Sequence, residues 1–178
     1  MSIFDSYLKK LDTHNFNFIM TKRILPVDRT IPVTALSFDY GTQRIGIAFG
    51  QSITSTTKAV SVIQAKDGVP NWDIVANLIK IWEPDFLIVG LPYNLDGSES
   101  ELLQRASKFA NRLNGRFNIP TFGIDERFSS RAAEEKLKRE NRRKTSDAGV
   151  DDIAAQIILE TWFAEYNKKS NCLIKPII

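Results

Sequence analysis

The chain has 178 residues, of which 43% are hydrophobic, 25% charged and 10% aromatic, with a net charge of +3. That is the composition of one globular domain, and it excludes disorder, collagen and coiled coil. About 70% of the surface of an unfolded chain this long can be buried, so an apolar core suffices without staples. One cysteine, Cys172, leaves no disulfide within the chain, and a single histidine, His14, leaves no His-rich zinc site and no Ser/His/Asp triad outside the N-terminal segment. Any catalysis must rest on carboxylates.

Residues 1–32 differ from the rest, with polar and aromatic clusters followed by I-L-P-V-D-R-T-I-P, and are expected to be an appendage, poorly ordered or dispensable. The only methionines are Met1 and Met20, so the first 19 residues are expected to be optional. No signal peptide is legible there, and no run reaches the roughly 18 apolar residues that cross a bilayer. The expected location is the cytoplasm, with no membrane partner.

From Val33 the pattern is regular. T-A-L-S-F-D-Y-G and R-I-G-I-A-F-G predict two strands joined by a tight Gly41-Thr42-Gln43 turn, and Val60 to Ile63 predicts a third, short strand. Val75, Leu78, Ile79 and Trp82 recur at helical spacing over 71–82, and Pro84 closes that helix. The uninterrupted apolar run F-L-I-V-G-L then predicts a buried parallel strand. Ser98 and Glu101 have the spacing of a capping box, ahead of a helix carrying Leu102, Leu103, Ala106, Phe109, Ala110 and Leu113 and closed by Gly115. T-F-G-I predicts a strand that stops at D-E-R, and Ser129 or Ser130 caps a charged helix through Arg139. A last helix over 147–166 is apolar nearly all round and should lie against the sheet. Trp72, Trp82 and Trp162 fall on apolar helix faces, which makes them core residues rather than platforms for stacking bases. The whole is an α/β domain over 33–167: a mixed five-stranded sheet with helices on both faces, followed by a tail at 168–178.

Acidic residues stand at element ends in three places: Asp39 closing the first strand, Asp125 and Glu126 after T-F-G-I, and Asp151 and Asp152 in the first turn of the last helix. Each alone has an ordinary structural reading as a turn residue, a helix cap or a dipole partner. Together, three carboxylate groups at the ends of core elements would repel one another unless a cation lay between them. Two divalent ions about 4 Å apart hold a scissile phosphate, activate a water and stabilise the leaving oxygen. Oxygen donors select Mg²⁺ or Mn²⁺ over zinc. Lys136 to Lys144 holds six basic residues and one acid, including Arg142, Arg143 and Lys144, and is either a phosphate contact or a solvated helix end.

The strings F-D-Y-G-T-Q-R-I-G-I-A, I-V-G-L-P-Y-N-L-D-G-S, I-D-E-R-F-S-S and V-D-D-I-A-A-Q-I-I-L-E-T-W resemble, in order and spacing, the YqgF (RuvX-like) family over about residues 33–166. The resemblance implies a ribonuclease H-like fold and a metal-dependent nuclease. Its substrate would be the 5′ end of pre-16S ribosomal RNA or, alternatively, a four-way DNA junction. It also implies that Asp39, Asp125, Glu126 and Asp151 are catalytic, with Asp39, Glu126 and Asp151 as metal ligands. Asp152 stands where the family usually has an uncharged residue, so either member of the V-D-D pair could be the inward one. Compared with ribonuclease H, the strand ending G-L-P supplies no acid, and the D-E-R motif must provide it. Gly41, Thr42 and Arg44 beside Asp39, Asn94 in the loop after F-L-I-V-G-L, and Arg127 are candidate substrate contacts.

Three other functions compete with an RNA nuclease. A junction resolvase would be a symmetric dimer, because two strands are cut together, whereas the RNA enzyme is expected as a monomer or weak dimer. A kinase or ATPase is suggested by the D-Y-G-T turn but would need two such domains. A noncatalytic RNA-binding assembly factor would keep the carboxylates for stability alone. The expected partner in the RNA readings is structured RNA or a ribosomal precursor particle.

Overall fold

The computed structural model describes residues 31–94, 100–126, 150–167 and 174–176. The strands are β1 (Thr34–Tyr40), β2 (Arg44–Gln51), β3 (Thr56–Lys66), β4 (Val69–Pro70), β5 (Phe86–Leu91), β6 (Thr121–Asp125) and β7 (Ile174–Pro176). The helices are α1 (Trp72–Trp82), α2 (Glu101–Phe117) and α3 (Val150–Asn167). The strand order is β4-β3-β2-β1-β5-β6-β7, with β1, β5 and β6 parallel and the remaining pairs antiparallel. The mixed α/β sheet with helices on both faces is as expected, but it has seven strands where five were expected. The additions are the short edges β4 and β7, of two and three residues, too brief for a period-two pattern to register. Ile174–Pro176, within the segment expected to be a tail, pairs with β6. The third strand runs over eleven residues rather than four, because its polar positions face outward along a long antiparallel pairing with β2.

Helix ends follow local chemistry. Asn71 caps α1 by accepting the Asp73 N–H at 2.9 Å, and Glu83 takes a left-handed conformation just before Pro84. Ser100, not Ser98, caps α2, its Oγ accepting the Leu103 N–H at 3.0 Å. Ser98 lies outside the described residues. Nor does Gly115 close α2: the helix runs to Phe117 and stops at Asn118, at φ 52°, ahead of Pro120. Asparagine tolerates that conformation, and Gly115 stays exposed within the helix. The expected helix beginning at Ser129 or Ser130 lies outside the described residues.

Strand alternation divides the core into two layers. Leu36, Phe38, Tyr40, Ile45, Ile47, Leu87, Val89 and Leu91 face α1 and α2, meeting Val75, Leu103, Ala106, Phe109 and Leu113. Ala35, Ala48, Phe86, Ile88, Phe122 and Ile124 face α3, meeting Ile158, Leu159, Trp162, Phe163 and Tyr166. Each Val, Leu, Ile or Phe among them contributes about 1.5 to 3 kcal/mol of burial. Of the tryptophans, Trp162 is fully buried, while Trp72 and Trp82 are partly buried against the first layer. All six residues of β5 are buried, as a central parallel strand requires.

Candidate functional site

Three neighbouring strands end on the same edge of the sheet. Asp39 is next to last in β1, Gly90 next to last in β5, and Glu126 follows β6 directly. The last β1–β5 pair is Phe38 with Val89, so Asp39 and Gly90 stand one step beyond it. Gly90 itself pairs with Ile124, two residues before Glu126.

Side-chain parity decides which acids meet. Phe38 and Tyr40 belong to the α1/α2 layer, which puts Asp39 on the α3 face with Ser37, whose Oγ donates to the Ala155 carbonyl of α3 at 2.7 Å. Val89 and Leu91 also face α1/α2, so Gly90 turns toward α3, and a Cβ there would overlap both the Glu126 carboxylate and Ile158. Glu126 therefore lies over the bare backbone of Gly90, on the face that carries Asp39. Asp125, buried at 2% exposure, alternates with Ile124 and belongs to the opposite face.

Packing against Gly90 and Ile158 makes Glu126 electrostatically unusual. Its pKa is pushed up to about 7, first by burial, then by the negative charges of Asp39 and Asp125. Among the described residues no cluster of three metal-ligating side chains is assembled, in keeping with Asp125 lying on the other face. All donors in the Asp39 and Glu126 pair are carboxylate oxygens, a set that fits a hard divalent cation. The first turn of α3, with Asp151 and Asp152 in its backbone, lies one turn before Ala155 and so extends toward the same edge.

The flanking residues fall as follows. Gly41, Thr42 and Gln43 link β1 to β2, and this turn is held from outside: Gly68 N–H donates to the Thr42 carbonyl at 2.7 Å and Ala65 N–H to the Gln43 carbonyl at 2.8 Å. Arg44 is exposed and alternates with Ile45, which puts it on the α3 face beside Gly46, the β2 residue paired with Asp39. Asn94 is exposed in the loop after β5. Arg127, Arg142, Arg143 and Lys144 lie outside the described residues. Gly90 was missed by motif reading, although a glycine inside an otherwise fully apolar strand is a signal of close approach by another group.

Residues 33–165 match the RuvX family, described as Holliday junction resolvase. The chain belongs to the RuvX family. A relative from Saccharophagus degradans is 49% identical over 134 residues, covering 75% of this chain and 94% of the relative, and carries the name "Putative pre-16S rRNA nuclease". A Pseudomonas aeruginosa relative of the same name is 49% identical over 132 residues, covering 74% of this chain and 92% of its own. Thermus thermophilus RuvC, solved in complex with a Holliday junction substrate, superposes with a TM-score of 0.54 at 13% identity, covering 81% of this chain and 99% of its own. That likeness shows the fold alone, a ribonuclease H-like α/β fold, for the RuvX chain. Among the described residues no helix is long and apolar enough to cross a membrane.

Proposed function

We propose that this RuvX chain is a divalent-cation-dependent nuclease that hydrolyses phosphodiester bonds in structured RNA, with the 5′ end of pre-16S rRNA as its substrate. The observation that carries the reading is the placement of Asp39 and Glu126 on one face, at neighbouring strand ends, across a strand whose glycine leaves room for the second carboxylate. The names of relatives that match over more than nine-tenths of their own length favour RNA.

Asp39 and Glu126, joined by Asp151 from the first turn of α3, would hold Mg²⁺ or Mn²⁺, which supplies Lewis acidity toward the scissile phosphate and lowers the pKa of a bound water. Glu126 must be deprotonated to serve, and with a pKa of about 7 it is only half ionised at neutral pH before a cation binds. Two ions, rather than one, are part of the proposal. Arg44, on the same face, is positioned to take a non-bridging phosphate oxygen through its planar fork of donors. The turn Gly41 to Gln43, braced by Gly68 and Ala65, holds the backbone next to Asp39 in one conformation before substrate arrives.

End-labelled precursor 16S rRNA, incubated with the purified chain in Mg²⁺ or Mn²⁺ and resolved on a sequencing gel, tests the assignment. Cleavage at a defined position, lost in Asp39→Asn, in Glu126→Gln and in EDTA, is the expected result. Intact RNA with folded wild-type protein removes it. The description of the family as a Holliday junction resolvase supports a second reading, cleavage of a four-way DNA junction by a dimer, so the same assay carries a junction substrate beside the RNA.

A further inference from the structure

We infer that the exposed side of α2 is a second nucleic-acid contact, a track for the phosphate backbone that leads away from the carboxylate edge along the layer opposite α3. This rests on the nucleic-acid reading above but concerns a surface that the carboxylates do not touch. Arg105, Lys108, Arg112 and Arg116 recur at helical spacing, so that all four share one stripe. Lys108, Arg112 and Arg116 are exposed, and successive members stand four residues apart, about 6 Å of helix rise.

The stripe is not balanced by acids of its own helix. Glu101 is the sole carboxylate on α2, and Arg105 already holds it at 2.9 Å while also pairing with Asp67 of the β3–β4 turn at 2.5 Å. Arg105 therefore serves as an internal clamp. Among the described residues Lys108 and Arg112 form no ion pair, and the Arg116 guanidinium lies 4.6 Å above the Trp72 ring, a contact that fixes its direction without cancelling its charge. Three cations over about 12 Å face a polymer that carries a charge every few ångströms, which is the complementarity a phosphate backbone offers.

Position links the stripe to the site. Arg105 holds Asp67 of the β3–β4 turn, and the next residue, Gly68, lies against the Tyr40 hydroxyl and donates its N–H to the Thr42 carbonyl in the turn that follows Asp39. α2 begins just after the loop that leaves β5 beyond Gly90. The upper end of the stripe thus adjoins the edge that bears the carboxylates. A nucleic acid held at that edge can cross the end of the sheet and continue down α2 as a backbone contact without base reading.

The test is fluorescence anisotropy of a labelled RNA hairpin with single-stranded flanks, titrated over a series of salt concentrations with Asp39→Asn protein so that the probe survives. The comparison proteins are Asp39→Asn carrying Lys108→Gln and Arg112→Gln, and a third form that adds Arg116→Gln, each checked by melting temperature. Loss of three phosphate contacts should weaken binding at least tenfold near physiological salt and make the plot of log K against log salt shallower by about 2 to 3. The double variant keeps the Arg116 contact with Trp72 and should show about two-thirds of that change, separating charge loss from packing loss. Unchanged affinity and slope in both variants, or no binding by the parent protein, overturns the track. Cleavage is read separately on protein with Asp39 intact. Cleavage without α2-dependent binding leaves the nuclease reading standing alone, and α2-dependent binding without cleavage leaves the track standing alone.

Discussion

Glu126 and Gly90 act as one unit. The glycine supplies the space, and the glutamate fills it with a carboxyl group whose pKa burial and two neighbouring acids push up to about 7. The folded state therefore binds its proton more tightly than the unfolded chain, where the ordinary value is 4.5. That contribution to stability is fully present below pH 4.5 and is lost as pH rises through 7, by about 3 kcal/mol at most. Metal-free protein should lose stability to urea between pH 5 and 8, and Glu126→Gln should flatten that slope; an equally steep slope in the variant would show that other groups set it. Gly90→Ala places a methyl group where the carboxylate and Ile158 lie, and should cost about 1 to 3 kcal/mol by overpacking. Cleavage should fall in that variant while RNA affinity stays near wild type, because the displaced group is Glu126 and not a phosphate contact. The family resemblance already favours Glu126 over Asp125 as a ligand, and the parity of β6 supplies a physical reason for that preference, since Glu126 lies on the face of Asp39 and Asp125 on the other.

Among the elements, the β3–β4 turn is a brace. Gly68 sits at φ 75° with the Tyr40 hydroxyl against the space a Cβ would need, and its N–H reaches the Thr42 carbonyl of the turn that follows Asp39. Arg105 ties the same turn to α2 through Asp67 and Glu101. Both acids are 79% exposed and Arg105 34%, so the pairs are screened and Arg105→Ala should leave denaturant unfolding almost unchanged. Its larger expected effect is faster amide exchange at Gly68 and Ala65, whose N–H groups hold the Gly41–Gln43 turn; unchanged exchange there would dissociate the clamp from the turn. Helix periodicity foretold α1 and α2, yet the end of α2 at Asn118 depended on a left-handed residue that composition does not single out. The two short edge strands escaped because a two- or three-residue strand has no pattern and exists only through its partner.

At the scale of the whole molecule, α3 joins the site to the core. Ser37 Oγ reaches the Ala155 carbonyl, Ile158 covers Gly90, and Trp162 packs on Phe86 near the opposite end of β5. The helix thus runs from the carboxylate edge down the sheet, and its fully buried Trp162 and Phe163 anchor it. A divalent cation that binds only the folded form adds about 2.7 kcal/mol at a hundredfold excess over Kd. In a domain of this size that is a rise of roughly 5 to 11 °C in Tm. Mg²⁺ or Mn²⁺ should produce such a rise in wild type and a much smaller one in Asp39→Asn, measured by differential scanning calorimetry. Equal shifts in both proteins would place the cation elsewhere.

The sequence by itself determined the element types, the buried parallel strand and the membership of the family, because these depend on periodicity, turn residues and four ordered motifs that are local in the chain. It also brought Asp39 and the D-E pair to notice, as acids closing apolar strands. Only the tertiary structure decided that Glu126, rather than Asp125, shares a face with Asp39, and that Gly90 makes room for it. It likewise decided that, among the described residues, Lys108 and Arg112 on α2 form no ion pair while Arg105 is consumed by Asp67 and Glu101. The physical reason is the same in each case: which side of a strand or helix a residue occupies follows from the local period, but what waits on that side is set by strands and helices distant in sequence.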